Sequence, residues 1–129
     1  MDARCSLRLT RRYAASPAEV WEALTMPESL SGWLGTARLD LVEGGSLQLE
    51  LLDGTQVSGR VRRVDPQRVL EVGWAADGEE PSVVRFELAA EDAGTLLRLE
   101  HRLLEERLGM RYLGRWERAI ERLAAVGAP

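Results

Sequence analysis

The chain contains no lysine, and all 17 of its basic residues are arginine. The absence of lysine excludes a Schiff-base lysine, a lysine that holds pyridoxal phosphate and a P-loop lysine. Cys5 is the only cysteine, so no disulfide can form within the chain. A single reduced thiol is typical of a cytoplasmic protein, which is the expected location.

Histidine is equally scarce, since His101 is the only one. One histidine and one cysteine cannot supply a conventional zinc site. The chain also lacks the G-x-S-x-G, G-x-G-x-x-G and G-x-x-x-x-G-K motifs, which argues against a triad hydrolase, a dinucleotide-binding fold and a P-loop protein. The acidic residues do not form a calcium loop. We therefore expect no metal and no cofactor.

The balance of charge limits the class of partner. The formal net charge is −4 and the isoelectric point is about 5.1, which disfavours nucleic acid and anionic membranes. The first 12 residues have no apolar segment typical of a signal peptide. No apolar run approaches the ~18 residues of a membrane helix. Neither nucleic-acid binding nor membrane insertion is expected.

Alternating apolar and polar residues predict seven strands, most of them separated by turn signals such as Asp53-Gly54. The predicted strands span about residues 3–14, 37–42, 47–51, 57–62, 70–74, 84–88 and 97–103. The last strand has Leu97, Leu99, His101 and Leu103 on one face. Each strand has one apolar face, which is typical of a meander solvated on one side.

Two short helices are predicted after the first strand. Ser16 caps the first one, Pro17 begins it and Glu19 completes a capping box, and the helix ends near Met26. The second runs from Pro27 to residues 33–34. The last three residues, 127–129, are expected to form a frayed tail.

A long amphipathic helix is predicted from Gly109 to Val126. Its apolar face carries Tyr112, Leu113, Trp116, Ala119, Ile120, Leu123 and Ala124, with Met110 at the edge. A wide apolar face needs an apolar partner, and only the strands offer one. The chain is therefore predicted to be a single α+β domain, residues 1–129, in which a curved antiparallel sheet wraps around the C-terminal helix.

Several motifs, taken in order, resemble one family. Residues 12–25 resemble the R-x-x-x-A/S-P-x-x-V-W-x-A-L-T opening of bacterial relatives of the heat-shock-protein-90 ATPase activator, in the START-like (SRPBCC, Bet v 1-like) superfamily. Residues 59–70 are similar to its G-x-V-x-x-V-D-P-P-R-x-L hairpin, with Gln67 at the second proline. The other similar features are Trp33 at a helix end, Trp74 at a strand end, the strand Thr95 to His101, and Gly114-Arg115-Trp116 in the last helix.

The resemblance implies a helix-grip fold, often with a cavity between the sheet and the long helix. Members of the superfamily bind lipids, steroids or polyketides, some cyclise polyketides and some assist the chaperone. Here the segment before the last helix, Leu104 to Leu108, is shorter than is usual in the family. The leading hypothesis is a non-enzymatic domain that binds a small hydrophobic or aromatic ligand. A chaperone-associated or stress-response partner and a polyketide cyclase-like enzyme are the alternatives.

Candidate ligand-binding residues follow from the same pattern. Aromatic and apolar side chains line ligand pockets, but they also form ordinary cores. The cavity candidates are Trp33, Trp74, Phe86, His101, Met110, Leu113, Trp116 and Glu117. No residue is assigned a catalytic role.

His101 needs a polar partner to act as an acid or base, and Glu117 and Arg11 are the candidates. In the alternative interpretation, His101 makes structural hydrogen bonds and Glu117 borders the interface. The stripe Arg111, Arg115, Arg118 and Arg122 is interpreted as a solvated helix face paired with nearby glutamates, or as a surface for an acidic partner. An exposed edge at the first strand is compatible with a monomer or a homodimer.

Overall fold

The computed structural model describes residues 3–127. All seven strands belong to one antiparallel sheet in the order β1-β7-β6-β5-β4-β3-β2. The strands are β1 (Arg4–Tyr13), β2 (Gly35–Leu39), β3 (Ser46–Leu51), β4 (Gln56–Asp65), β5 (Val69–Ala76), β6 (Ser82–Glu91) and β7 (Gly94–Glu105). The predicted α+β helix-grip fold, a curved sheet around a C-terminal helix, is confirmed.

Within the described residues, three helices complete the fold: α1 (Pro17–Thr25), α2 (Pro27–Leu30) and α3 (Gly109–Gly127). A 3-10 turn (Glu106–Leu108) leads into α3. Residues 128 and 129 of the expected tail lie outside the described residues. No helix among residues 3–127 is both long and apolar enough to cross a membrane.

The start of α1 has the capping box expected from the sequence. The Ser16 hydroxyl accepts from the Glu19 backbone N–H at 3.2 Å, and the Glu19 carboxylate accepts from the Ser16 backbone N–H at 3.1 Å. These bonds satisfy backbone donors that a helix start leaves free. Pro27 separates α1 from α2, because a proline cannot continue the preceding helix.

A bulge in β7 changes which residues face inward. Leu7 pairs with His101 and Cys5 pairs with Leu104, so β7 uses one more residue than β1 over this stretch. Leu103 has φ of 59° and is 53% exposed, whereas Leu104 is buried. The expected inward position of Leu103 is therefore wrong, because the bulge reverses the alternation.

The outer face of the sheet is stabilised by a cluster of charges centred on Glu71. Its carboxylate accepts hydrogen bonds from Arg62, Arg85 and Arg102 at 2.9 to 3.2 Å. Burial alone would raise the pKa of Glu71, but these three guanidinium groups outweigh it and lower that pKa to about 2. The cluster holds β4, β5, β6 and β7 together from the solvent side.

Candidate functional site

Six aromatic rings, including the imidazole, meet between the sheet and α3. The Trp74 and Trp116 ring centroids are 5.3 Å apart, and Phe86 lies 6.0 Å from Trp116 in an edge-to-face arrangement. Trp33 and Tyr112 extend the cluster at its two ends, and all of these side chains are buried. We call this set, Trp33, Trp74, Phe86, His101, Tyr112 and Trp116, the aromatic cluster.

His101 is completely buried in the aromatic cluster and both of its ring nitrogens are bonded. The Trp116 indole Nε1–H donates to His101 Nδ1 at 3.0 Å. Nδ1 is therefore an acceptor, and the imidazole proton resides on Nε2, which donates to the Ser82 hydroxyl at 2.7 Å. The Ser82 hydroxyl donates in turn to the Trp74 carbonyl at 3.2 Å. The imidazole is thus fixed as a neutral link between β7, β6 and α3.

Burial lowers the pKa of His101 to about 3, because a charged imidazolium would lose its hydration with no carboxylate to compensate. A group that stays neutral at physiological pH and has both nitrogens bonded has no free lone pair or proton for a substrate. In this geometry His101 positions Trp116 and Ser82.

A second polar chain joins the aromatic cluster to the loop between β5 and β6. The Trp74 Nε1–H donates to the Tyr112 hydroxyl at 3.0 Å, and that hydroxyl donates to the Glu79 carboxylate at 2.6 Å. Burial and the Glu79 carboxylate raise the pKa of Tyr112 to about 12. The same loop is held by the Glu105 carboxylate, which accepts from the Glu80 backbone N–H at 3.0 Å. The loop therefore closes one end of the space between sheet and helix.

A small apolar cavity of about 30 Å³ lies beside Trp74 and Phe86. Eleven side chains line it: Leu24, Leu30, Leu34, Ala37, Leu39, Leu47, Leu49, Leu70, Val72, Trp74 and Phe86. A space of this size holds about one water molecule, and a cavity without polar partners stays dry. Around this space side chains fill the interior, and the small apolar opening lies under α1 and α2.

The wall over this cavity is held by few polar contacts. The Trp33 Nε1–H donates to the Ala23 carbonyl at 2.8 Å, which ties the segment after α2 back to α1. The Trp33 carbonyl accepts from Arg122 Nε at 3.1 Å, and the Leu34 carbonyl accepts from the Leu52 backbone N–H at 3.3 Å. We call residues 27–34, which comprise α2 and the turn after it, the cover.

The structure brings five of the eight sequence candidates together: Trp33, Trp74, Phe86, His101 and Trp116 are buried in the aromatic cluster. Leu113 is half-buried. Met110 is 83% exposed and Glu117 is also exposed, so neither reaches the interior. The buried arc of α3, which includes Tyr112 and Trp116, spans only about 100° of the helix circumference. Met110 and Glu117 lie beyond the edge of this arc.

The proposed polar cluster of His101, Glu117 and Arg11 does not form. His101 is bonded to Trp116 and Ser82, while Glu117 faces solvent. The half-buried Arg11 guanidinium lies 6.0 Å from the Tyr13 ring centroid. The bonds of His101 to Ser82 and Trp116 are structural hydrogen bonds, as in the alternative interpretation of this residue.

Sequence reasoning missed Ser82, Glu79 and the leucines of the cover. Ser82 could have been found by extending the alternation of β6, because it lies two residues before Val84, and Val84 pairs with His101. The role of Glu79 has no sequence signal, because it depends on the path of a loop. Leu30 and Leu34 lie in the segment predicted as the second helix, but only the folded chain shows that they line a cavity.

A family model described as "Activator of Hsp90 ATPase homolog 1-like protein" matches residues 14–128. The chain belongs to this family. The resemblance drawn from the opening motif, the hairpin and the last helix is confirmed. A search of the curated proteins found no match.

Solved structures show the same fold. The crystal structure of CalU16 from Micromonospora echinospora is 32% identical over 100% of this chain and 86% of that chain, with a TM-score of 0.86. Its solution structure is 35% identical over 94% of this chain and 64% of that chain, with a TM-score of 0.85. DynU16, a protein in the dynemicin biosynthetic locus, is 24% identical over 93% of this chain and 46% of that chain, with a TM-score of 0.85, a likeness of fold alone.

Proposed function

We propose that this protein binds a small, mostly apolar, flat molecule between the sheet and α3, in an enlarged form of the cavity beside Trp74 and Phe86. The observation that carries the proposal is the lining of that cavity. All eleven side chains are apolar or aromatic, as in pockets for hydrophobic ligands.

The size of the cavity decides how such a ligand enters. At about 30 Å³ it is too small for anything beyond a water-sized molecule. The sheet has less freedom to move, because each of its strands is hydrogen-bonded to its neighbours. The cover can supply more room, because it consists of the four-residue α2 and the turn after it, and it contributes Leu30 and Leu34 to the lining. Binding is therefore expected to displace the cover and let the ligand contact Trp74 and Phe86.

The aromatic cluster limits the chemistry of the ligand at its inner end. The Trp74, His101, Tyr112 and Trp116 polar atoms already bond to one another or to Ser82 and Glu79. A polar ligand group placed there would have to break one of these bonds. An apolar ring or chain fits that end. Because the polar atoms there already have hydrogen-bond partners, the geometry favours ligand binding over acid–base catalysis.

The test is tryptophan fluorescence with a panel of fatty acids, flavonoids and sterols, supported by a thermal-shift scan. A ligand that binds only the folded state raises its stability by mass action, so quenching and the shift in melting temperature should occur together. Ala37→Val, which adds two methyl groups to the cavity wall, should abolish both signals.

Ala23→Val is the matched control. Ala23 lines a separate, larger apolar groove of about 200 Å³ between β1, α1 and α3, together with Tyr13, Val20 and Leu123. If Ala23→Val abolishes binding and Ala37→Val does not, the ligand occupies that groove and the cavity proposal is wrong. No response by the wild-type protein to any compound would also overturn it.

A further inference from the structure

Three arginines of α3 line a cleft on the outer side of the cover. Arg115, Arg118 and Arg122 lie along one flank of the helix, and with Leu34, Leu51, Leu52, Asp53 and Ala119 they enclose about 150 Å³. We call this space the arginine cleft. Its walls combine guanidinium groups with leucine side chains, one of which, Leu52, is 55% exposed.

The arginine cleft carries a positive charge that its own residues leave uncompensated. Arg115 pairs with Asp53 at 2.9 Å and lies over the Tyr112 ring, with its Cζ 5.0 Å from the ring centroid. Arg122 donates from Nε to the neutral Trp33 carbonyl. Among residues 3–127, Arg118 makes no ion pair. Three guanidinium groups thus face one carboxylate, in a chain whose net charge is −4.

The arrangement departs from the expected solvated stripe paired with glutamates of the same helix. The observed partners of Arg115 and Arg122 come from the β3–β4 turn and from the cover. Arg118 lies back against the helix, since a β-carbon added at Gly114 would be 3.3 Å from Arg118 Nη1. The glycine therefore leaves room for this guanidinium beside the cleft.

Leu34 connects the arginine cleft with the cavity, because its side chain lines both. It is also the last residue of the cover, next to Trp33, whose carbonyl Arg122 binds. A molecule that displaces Leu34 from outside would pass from the guanidinium groups directly into the apolar interior. The polar end of the ligand would then remain in the cleft.

From this placement we infer that the ligand is a carboxylic acid with an apolar ring or chain. Its carboxylate binds Arg118 and Arg122, and its apolar body enters the cavity past Leu34. Arg115 already binds the Asp53 carboxylate in the same cleft, which is the kind of contact inferred for the other two arginines. A guanidinium can bind a carboxylate through two parallel hydrogen bonds. The inference rests on the proposed function for the apolar half of the ligand.

The experiment compares 2-naphthoate with 2-naphthamide, which has the same shape without the charge. Both are titrated against the full chain by tryptophan fluorescence, at low and at high salt. We expect the acid to bind about tenfold more tightly than the amide at low salt, with the difference reduced by salt. Arg118→Gln should bring the affinities for the acid and the amide to within about twofold of each other. Gly114→Ala should weaken the binding of the acid, because the added methyl group displaces Arg118.

Arg111→Gln is the control, because it removes the same charge from the same helix at an exposed position that does not line the cleft. If Arg111→Gln and Arg118→Gln lose the same affinity for the acid, the inference is overturned. The acid would then be attracted by the overall positive charge of the helix and not by a particular arginine. Equal affinity of the acid and the amide in the wild-type protein would overturn it as well, while leaving the proposed function intact.

Ala37→Val separates the two proposals. If it abolishes binding of acid and amide alike, the cavity and the cleft bind one molecule, as inferred. If the acid still binds Ala37→Val in an Arg118-dependent way, the cleft binds carboxylates by itself and the cavity proposal fails. If neither compound binds the wild-type protein, both proposals fail for this class of ligand.

Discussion

The Trp116 indole donates its N–H to the His101 imidazole at 3.0 Å, and this bond joins α3 to β7 in the middle of the aromatic cluster. Neither ring is exposed to water. A buried indole N–H needs an acceptor, and a neutral imidazole supplies one while its other nitrogen donates to Ser82. The pairing therefore requires a neutral histidine, which gives this bond a dependence on pH.

The free energy of unfolding should decrease in mild acid because of His101. Its folded-state pKa is about 3, below the ordinary value of 6.5, so the unfolded chain binds the proton more readily between those values. The stability from this group is fully present above pH 6.5 and is lost as the pH falls towards 3. At pH 5 the loss is roughly 2 kcal/mol relative to pH 7. Urea unfolding followed by tryptophan fluorescence measures it.

His101→Gln is the comparison variant, because an amide can both accept and donate but does not titrate. It should be less stable at pH 7, and its stability should fall less between pH 7 and pH 5. An NMR titration gives an independent check, since the imidazole signals should not shift between pH 7 and pH 5. A midpoint near 6.5 in the folded protein would contradict the neutral role.

Most of the fold could be predicted from the sequence because its elements have strong periodicity. Seven alternating strands and one amphipathic helix leave few arrangements that bury all the apolar faces. The prediction of which side chains face inward was wrong where one extra residue interrupts the alternation along a strand. At Leu103 the bulge turns an apolar side chain outward, and nothing in the sequence 94–105 indicates a left-handed residue there.

The site was harder to predict, because it depends on how wide the contact between α3 and the sheet is. A helical wheel shows which residues share a side, but it does not show how much of that side is covered. Met110 and Glu117 lie beyond the buried arc of the helix and face solvent. The arginine stripe was visible, yet its contact with Asp53 and Trp33 depends on a turn and a cover far away in the chain.

Removing the Glu71 carboxylate should destabilise the sheet. Glu71→Gln leaves Arg62, Arg85 and Arg102 close together without their common partner, and we expect a loss of about 2 to 3 kcal/mol because Glu71 is largely buried. Glu87→Gln, which removes a half-buried partner of Arg85 alone, should cost less than about 1 kcal/mol. Equal losses in urea unfolding would contradict a special role for Glu71.

Two facing glycines should differ sharply when changed to alanine. A β-carbon at Gly59 would overlap the carbonyl oxygen of Gly73, whereas one at Gly73 would lie 3.6 Å from its nearest neighbouring atom, at Arg60, an ordinary contact. Gly59→Ala should therefore destabilise the protein by about 3 kcal/mol, and Gly73→Ala should change stability by less than about 1 kcal/mol. Melting temperatures of the two variants provide the measurement, and a tolerated Gly59→Ala would show that β4 and β5 separate easily.

Tyr112→Phe should loosen the end of the aromatic cluster nearest the β5–β6 loop. The change leaves the buried Trp74 N–H without its acceptor and releases Glu79 from the hydroxyl, and an unsatisfied buried donor costs about 1 to 3 kcal/mol. Glu79→Gln is the control, because its amide oxygen still accepts from Tyr112, and it should cost less than about 1 kcal/mol. Hydrogen exchange should become faster in residues 77–81 only in Tyr112→Phe. Unchanged exchange there would mean that Glu105, rather than Tyr112, holds the loop in place.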